Sequence, residues 1–367
     1  MIAAAQREQA RAWIVEHAAV SERAGNPFAR PEWLLHLLDG VSEGNWRFLL
    51  GEVNGTALSL LFVPAPQGRA WRGFTNYYAS LYTPFVGAVS AADCRQLVRE
   101  LAAVRPAPES VDLSPLSVED ADAAQAAFRS GGWITRRYDC FGNWYLPCDG
   151  LAFDEYMAAR PTQLVNTWRR RSRKFSTAFS TAPSPSESGR LQLVTSPAEV
   201  AAAMQAYEQV YARSWKVHEP YPGFVPGWAR ICAERGWLRL GLAWWGDVPV
   251  AAQFWFTIGR RAYIFKLAYD EAHAKLSAGT VLSAFLFKQA LDVDRVEEID
   301  YLTGDDEYKR AWVTHRRPRV GVVACNPRTW RGALRAGTEM AGLVRKRLLG
   351  STLAATPPPP IAGAERN

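Results

Sequence analysis

The sequence predicts an α/β protein made of two copies of one unit, each a central mixed β-sheet flanked by helices. The first observation behind this prediction is that the chain matches itself, without a gap, at a fixed offset of 191 residues. A repeat of this length is typical of a duplicated domain rather than of a solenoid. The matched pairs are landmarks of strands and turns: Trp46 with Trp237, Leu49 with Leu240, Gly55 with Gly246, Gly68 with Gly259, Arg69 with Arg260, Phe74 with Phe265, and Tyr78 with Tyr269.

The order of the predicted elements is the second observation. Each copy runs strand, strand, strand, helix, strand, helix, strand, which is typical of an α/β unit around a mixed sheet. The chain of 367 residues is long enough for two hydrophobic cores. No G-x-G-x-x-G follows a strand and no G-x-x-x-x-G-K-S/T occurs, which argues against a doubly wound dinucleotide fold and a P-loop.

Turn residues and helix caps set the boundaries in the first copy. Asn54 and Gly55 separate two apolar runs and predict a hairpin. Ser90 and Ser117 are predicted to cap helices. The predicted elements are a helix over 31–38, strands over 46–53, 57–63 and 70–78, a helix over 90–102, a strand over 110–113, a helix over 117–131, and strands over 133–138 and 143–146.

The second copy is preceded by a helix over 162–178. Ser196, Pro197 and Glu199 together form a helix-start signature, so that a helix is expected from there to about residue 215. The remaining predicted elements are strands over 191–194, 238–244, 250–257 and 262–269, a helix over 279–291, a strand over 298–302, a short helix over 307–313, a strand over 319–325, and a basic amphipathic helix over 328–349.

Composition limits the cellular setting and the partners. The net charge of +7 suits a polyanionic partner such as nucleic acid, a phosphorylated cofactor or an anionic membrane face. Five cysteines without a C-x-x-C favour a reducing compartment over a disulfide framework. No apolar run is long enough for a membrane span, and Arg7, Glu8 and Arg11 leave no apolar signal core, so we expect a cytoplasmic protein. The five histidines are scattered, and no metal site is expected.

Three segments of the second copy resemble a known family: 249–253 (PVAAQ), 275–280 (KLSAGT) and 300–312 (DYLTGDDEYKRAW). They are similar to the CelD-type branch of the GNAT superfamily, which is related to the FemA/FemX aminoacyltransferases. The resemblance covers about residues 160–320 and extends more weakly over the first copy. It implies tandem GNAT-like domains, an N-terminal one over 1–148 without donor binding and a catalytic one over 149–325. The sequence pattern adds a basic helix over 326–350, and the composition predicts a disordered tail over 351–367.

The resemblance also implies a reaction. An acyl group, acetyl in the first instance, would pass from acyl-CoA to an amine or hydroxyl acceptor by direct attack in a ternary complex. FemX relatives use aminoacyl-tRNA, which gives a second hypothesis. A third is a non-catalytic module that docks on RNA or membrane through the basic helices over 162–178 and 328–349. A small molecule or a cell-envelope or polysaccharide precursor is the acceptor suggested by association, and tRNA is the less favoured partner.

The donor is expected at the start of the helix over 279–291. Helix-start amides are unpaired donors and a natural seat for a pyrophosphate. The residues predicted to bind it, against the alternative of an ordinary capped helix, are Lys275, Ser277, Ala278, Gly279 and Thr280. The matching stretch of the first copy, 83–87, has no cation, and its Pro84 has no N–H, so we expect that copy not to bind the donor.

The reacting groups are expected just beyond the strand over 298–302. The resemblance implies that Tyr308 is the general acid, and an amine acceptor needs a base because its pKa is about 10. Asp305, Asp306 and Glu307 are candidate bases, and Lys309 is a candidate for holding the oxyanion or the donor phosphates. For each of them a solvated charge at a helix start is the alternative.

Two further surfaces are assigned from the sequence. Gln253, Trp215 and Lys216 are expected to contact the acceptor, with an aromatic segment over 221–228 as a lid or, alternatively, a packed surface loop. The basic run over 169–174 (RRRSRK) is either a clamp on phosphate or a solvated helix face.

Overall fold

A computed structural model of the chain describes residues 2–19, 25–40, 46–64, 68–177, 188–217 and 219–348. The predicted tail over 351–367 lies outside the described residues. Those that are described form two compact units, the first drawn from Met1–Gly142 and Pro318–Asn367, the second from Asn143–Arg317.

The secondary structure follows the predicted order, with two added elements at the N-terminal end and several short ones within the chain. The first part contains β1 (Ile2–Ala5), α1 (Arg7–Glu16), α2 (Pro31–Gly40), β2 (Trp46–Val53), β3 (Thr56–Pro64), β4 (Ala70–Gly73), β5 (Phe85–Gly87), α3 (Ala91–Ala103), β6 (Ser110–Leu116), α4 (Val118–Ser130) and β7 (Ile134–Pro147). The second contains α5 (Phe153–Ala158), α6 (Thr162–Ser172), β8 (Phe175–Thr177), β9 (Gly189–Val194), α7 (Val200–Ala212), α8 (Phe224–Glu234), β10 (Leu238–Trp245), β11 (Val248–Ile258), β12 (Arg261–Tyr269), α9 (Ala278–Lys288), β13 (Glu298–Asp300), β14 (His315–Cys325) and α10 (Trp330–Leu348).

The first unit is a mixed sheet in the order β1-β2-β3-β4-β6-β14, in which β4 and β6 run parallel. The predicted hairpin is confirmed, because Asn54 and Gly55 both take positive φ angles between β2 and β3. Ser90 and Ser117 cap α3 and α4 as predicted, each accepting a backbone N–H three residues on. The two helices and the sheet enclose a core that includes Leu97, Phe128 and Trp133.

The second unit is a mixed sheet in the order β7-β13-β12-β11-β10-β9-β8. The predicted meander of β10, β11 and β12 is confirmed. The units differ from the predicted domains over 1–148 and 149–325 at two places. Residues 145–147 of β7 pair with β13 in the second unit, whereas residues 320–325 of β14 pair with β6 in the first. Local sequence patterns cannot specify such an exchange, because register depends on which partner strand is near.

Local predictions are wrong at several places. The helix predicted over 162–178 ends at Ser172 and is followed by strand β8. The strand predicted over 70–78 ends at Gly73, and the helix expected from Ser196 begins with a 3₁₀ turn that the Ser196 side chain does not cap. The segment over 221–228 is not a loop throughout, because α8 starts at Phe224 and buries Phe224 and Trp228. Pro226 is tolerated there, since the first turn of a helix needs no N–H at that position.

Candidate active site

An opening between two parallel strands dominates the second unit. Strand β12 pairs with β11 as far as Tyr269, but it pairs with β13 only over Arg261–Tyr263. Beyond β13 the amide of Tyr301 donates instead to the carbonyl of Trp144, at 2.9 Å. The described pairing of β12 with β13 therefore stops at Tyr263, and residues 264–269 of β12 lie beyond it. We call this opening, between 264–269 and the loop that follows β13, the wedge.

Helix α9 begins beside the wedge, eight residues or so after β12 ends. Ser277, in the left-handed conformation at φ +53°, is its N-cap residue and makes no side-chain cap within the described structure. The amides of Ala278, Gly279 and Thr280 are first-turn donors, for which the described residues supply no acceptor. The first turn of α9 also lacks an acidic residue. Free amide donors at a helix start, without a nearby acidic residue, are the features that favour the binding of an anionic group.

Gly279 is not required by the fold itself. Its φ is not positive, and a Cβ built there would meet only the ring of Tyr269 at 3.6 Å, an ordinary contact. The absence of a side chain at Gly279 leaves the first turn of α9 accessible. Lys275 is exposed just before this turn.

The side chain of Gln253 holds the start of α9 in place. Its Nε2 donates to the carbonyl of Gly279 at 3.2 Å and to the hydroxyl of Ser283 at 2.7 Å, while its Oε1 accepts from the indole of Trp255 at 3.0 Å. Gln253 is buried and its polar atoms are occupied. The structure thus shows a positioning contact where the sequence predicted contact with the acceptor.

A buried carboxylate shapes the loop after β13. One oxygen of Asp300 accepts from the amide of Leu302 at 2.6 Å and from Asn143 at 2.5 Å, and the other accepts from Arg317 at 2.6 Å. These bonds hold Leu302 at φ +53°, a conformation that costs a non-glycine residue about 1 kcal/mol or more. A conformation of this kind persists only where its surroundings enforce it.

Lys309 is buried and fastens the same loop. Its Nζ donates to the carbonyls of Thr303 at 2.7 Å and Gly304 at 2.9 Å and pairs with Asp306 at 3.2 Å. Burial lowers the pKa of Lys309, and the charge of Asp306 opposes that effect. Three partners occupy the three protons of the ammonium group. Lys309 therefore organises the loop in this structure, in contrast to the predicted contact with an oxyanion or a phosphate.

The three candidate carboxylates have different environments. Asp305 accepts from Arg316 at 2.9 Å and from the indole of Trp144 at 2.6 Å, and the bond from Arg316 foremost lowers the pKa of Asp305 to about 2. A carboxylate with such a pKa is a weak base at neutral pH. Asp306 is paired with Lys309, and Glu307 is exposed at the start of the 3₁₀ helix Glu307–Ala311.

Tyr308 lies at the surface of the loop with its hydroxyl free to act. Its side chain is 46% exposed, and its ring packs edge-on against Tyr301 with centroids 6.2 Å apart. Desolvation of the phenol and then the charge of Asp306 raise the pKa of Tyr308 above its usual value. Tyr308 therefore stays protonated at neutral pH and can donate a proton.

A cluster of cations and aromatic rings lies on the acceptor side predicted from the sequence. Trp215 packs on Tyr269, with centroids 4.7 Å apart, and the Nζ of Lys216 lies 5.2 Å from the Trp215 ring. Lys266 on β12 pairs with Glu219 at 2.8 Å. Burial foremost lowers the pKa of Lys266, and the charge of Lys216 contributes in the same direction to both Lys266 and Lys309. Lys266 and Lys309 are thus each paired with a carboxylate, and Lys216 adds a further cation beside them.

The basic run over 169–174 lies at the end of α6 and just beyond it. Arg169, Arg170, Arg173 and Lys174 are exposed, and none of them forms an ion pair within the described part of the chain. Cations at a helix C-terminus are favourable on their own. The exposure of these side chains is consistent with a solvated helix face. The alternative, that the run binds phosphate, stays a prediction.

Sequence reasoning missed the residues that support the loop. Asn143, Trp144 and Arg317 reach it from strands β7 and β14, far away in the chain, and no local pattern identifies them. Asp300 could have been found, because a carboxylate directly after a buried strand and two residues before a turn is a recognisable turn signal. Among the described residues, no group of three or more His, Cys, Asp or Glu side chains could hold a metal ion. None of the helices in that part of the chain is long and apolar enough to cross a membrane.

Comparison with known proteins identifies the second unit. A family model described as the acetyltransferase (GNAT) domain matches residues 164–310. Residues 164–310 are therefore similar to the GNAT domain. This segment runs from α6 to the short helix that carries Tyr308, so it contains the wedge, the start of α9 and the loop after β13. No curated protein is significantly similar to the chain in sequence.

Similar solved structures extend over both units. FemX superposes with a TM-score of 0.58 at 8% identity, covering 88% of this chain and 96% of that one. The C-terminal domain of a putative lysylphosphatidylglycerol synthetase from Agrobacterium fabrum gives 0.54 at 14%, covering 91% and 96%. A conserved protein of unknown function from Bacteroides thetaiotaomicron gives 0.55 at 11%, covering 86% and 97%. At these identities the likeness concerns the fold. The predicted fold class, tandem GNAT-like α/β domains of the GNAT and Fem-like type, is confirmed.

Proposed function

We propose that this protein is an acyltransferase that moves an acyl group, acetyl in the first instance, from acyl-CoA to an amine or hydroxyl acceptor. The observation that carries the proposal is the coincidence of the wedge with the uncapped start of α9. An extended ligand can enter where two parallel strands separate, while its anionic end meets the amides of a helix start. Acyl-CoA combines an extended amide-containing arm with a pyrophosphate.

The donor is assigned to the GNAT domain alone. The pyrophosphate is placed at the amides of Ala278, Gly279 and Thr280, with the hydroxyl of Ser277 and the charge of Lys275 beside them. The arm follows residues 264–269, so that the thioester lies near the loop after β13. The N-terminal unit is assigned no donor, and the whole reaction is placed in the cytoplasm, where acyl-CoA is found.

The chemistry proposed is direct attack in a ternary complex. The acceptor nitrogen or oxygen forms a bond to the thioester carbon, its proton passes to a carboxylate, and the carbon–sulfur bond breaks. Tyr308, a phenol that is protonated at neutral pH, donates its proton to the departing thiolate. Asp306 and Glu307 remain the candidate bases, because the lowered pKa of Asp305 makes that carboxylate a weak one. Trp215 and Lys216 are proposed to contact the acceptor.

A second candidate donor is aminoacyl-tRNA. The observation that favours it is the exposed run over 169–174 together with the lysines beside the wedge, because basic surfaces bind phosphate backbones. FemX and the lysylphosphatidylglycerol synthetase domain share the fold, which is consistent with a cell-envelope precursor as the acceptor.

Calorimetric titration separates the donors. The protein is titrated with acetyl-CoA, with CoA and with bulk aminoacyl-tRNA. Saturable heat with CoA, which is lost in the presence of acetyl-CoA, is the expected result. Binding heat with aminoacyl-tRNA and none with CoA would show that the donor is aminoacyl-tRNA. If neither ligand gives binding heat, the proposed acyltransferase function is wrong.

A further inference from the structure

Helix α10 of the first unit presents its apolar side to solvent. Gly332 and Ala336 face the unit, and a Cβ at Gly332 would lie 2.1 Å from the carbonyl oxygen of Asn326. On the other side of the helix, Trp330 is 72% exposed and Leu334 is 62% exposed. A surface helix normally turns such residues inward, so their exposure needs a reason.

Polar contacts lie beside Ala336 on the inward side of α10. Arg335 donates to the hydroxyl of Ser110 at 2.7 Å, and Glu339 pairs with Arg136 on β7. These contacts fix the rotation of the helix about its axis, so the apolar side cannot turn inward without losing them. A Cβ at Gly337, one turn beyond Leu334, would meet no described atom within 4 Å. The outward side of α10 thus stays open.

A positively charged cavity adjoins the start of this helix. It has a volume of about 440 Å³ and is lined by Arg47, Gly68, Arg69, Pro106, Glu109, Trp330 and Arg331. Glu109 lies 3.9 Å from Arg69 and 3.7 Å from Arg331. No carboxylate of the described residues pairs with Arg47. Three guanidinium groups against one carboxylate leave an excess of positive charge next to an exposed tryptophan.

We propose that the outward side of α10 and this arginine cavity dock the protein on the surface of an anionic phospholipid membrane. An interfacial helix inserts apolar side chains between the headgroups and places cations near the lipid phosphates. Trp330, at the boundary between the apolar side and the cavity, is the residue type that prefers this depth. The cavity receives a lipid phosphate.

Two other occupants fit the surface less well. A second copy of the chain would bring the same arginines face to face, since both partners of a twofold interface use the same patch. An RNA backbone needs cations along the contact, whereas Trp330, Leu334 and Met340 dominate the outward side of α10.

Vesicle binding by the full chain tests the docking surface. The protein is sedimented with vesicles of phosphatidylcholine alone and of phosphatidylcholine mixed with phosphatidylglycerol. We expect binding to the mixed vesicles only, weaker at high salt. Leu334→Gln should reduce the affinity about tenfold, and Gly337→Leu should raise it by a similar factor, because each changes one exposed apolar side chain. Gly337→Gln is the matched control, and it should leave the affinity unchanged or lower.

A substitution in the arginine cavity tests whether the cavity contributes to membrane binding. Arg69→Gln should weaken binding to the mixed vesicles about fivefold, as one cation near an anionic surface does. Inorganic phosphate at millimolar concentration should not compete, since the lipid surface supplies the rest of the affinity. The proposal is overturned if the mixed vesicles are not bound, or if Leu334→Gln and Gly337→Leu change nothing. A dimer in light scattering that Leu334→Gln dissociates would overturn it too, as would RNA that co-purifies and is lost with Arg69→Gln. None of these readouts depends on acyl transfer.

Discussion

The two units differ at the end of the strand that has a parallel neighbour, which is β12 in the second unit and β4 in the first. In the second unit β12 continues to Tyr269 and leaves the wedge open. In the first unit β4 ends at Gly73, and the segment that follows fills the corresponding space. The amide of Tyr82 donates to the carbonyl of Pro115 on β6 at 2.6 Å, and its hydroxyl donates to Ser59 on β3 at 3.1 Å. Tyr82 is buried, so its side chain fills the space beyond the end of β4.

The helices that follow differ in the same sense. The hydroxyl of Ser90 accepts the amide of Asp93 at 3.1 Å, and Asp93 adds a carboxylate to the first turn of α3. The start of α9 has neither a cap nor an acid in the described structure. The helix start of the first copy is thus capped by the protein, whereas the helix start of the second copy has no described cap.

The largest expected effect tests this difference directly. Gly279→Glu should weaken the binding of CoA about a thousandfold, because a carboxylate about 4 Å from a phosphate costs about 4 kcal/mol near a protein surface. Ala92→Glu introduces the same charge at the second position of α3 and should leave CoA binding unchanged. Calorimetry measures both. Equal losses in the two variants would refute the assignment to the second unit.

Tyr308→Phe tests the chemistry rather than the binding. Loss of the proton donor should lower kcat about a hundredfold with little change in the KM for the donor. Tyr77→Phe removes the hydroxyl of a similarly exposed tyrosine from the first unit and serves as the control. Steady-state kinetics with acetyl-CoA measure the effect. Unchanged kcat in Tyr308→Phe would exclude the tyrosine as the acid.

Gly304→Ala tests the loop that carries Tyr308. Gly304 has φ +101°, and a Cβ would lie 2.9 Å from Asp306 and 3.2 Å from the Nζ of Lys309. We expect a loss of about 1–3 kcal/mol in the free energy of unfolding. Gly259→Ala, at φ +60° with open space around it, should cost less. Urea denaturation compares the two variants. Equal losses in the free energy of unfolding would show that the side chains of Lys309 and Asp306 move aside for the added methyl group and do not hold the loop rigidly.

The smallest expected effect is the loss of folding stability at acidic pH that follows from protonation of Asp305. The pKa of Asp305 in the folded protein, about 2, lies below the value of about 3.9 in an unfolded chain. The folded state therefore binds fewer protons, and the pair with Arg316 stabilises above about pH 4 and is lost as the pH falls towards 2. Both side chains are more than a third exposed, so we expect less than about 1 kcal/mol. Denaturation of Asp305→Asn should depend less on pH across this window than that of the wild type.

Much of the fold could be predicted because its signals are local. The Asn54-Gly55 turn needs only two residues that accept positive φ, and the caps at Ser90 and Ser117 need only a hydroxyl before an apolar run. The meander of β10 to β12 follows from continuous apolar strands. The strand predicted over 70–78 failed for the opposite reason. Its second half contains three aromatic residues, of which Phe74 and Tyr78 are buried, and such a pattern resembles that of a strand although no strand forms there.

The candidate site was predictable in place but not in contacts. The residues over 275–280 and 300–312 were found because a motif keeps them together in sequence. The roles within the motif depend on partners from elsewhere, such as Asn143 and Arg317 around Asp300. Lys309 and Gln253 were predicted to face ligands, and the structure shows both with their polar atoms occupied by the protein. A sequence states which groups are present, and packing decides which of them remain free.

By itself the sequence determined that the chain is duplicated, that each copy is an α/β unit, and where most helices and strands begin, because turns, caps and apolar periods act over a few residues. The tertiary structure alone decided that β12 parts from β13 after Tyr263, that Tyr82 closes the first unit, and which side of α10 faces outward. Each of these depends on groups far apart in the chain that become neighbours only after folding, where a hydrogen bond or a steric contact selects one arrangement among those that local preferences allow.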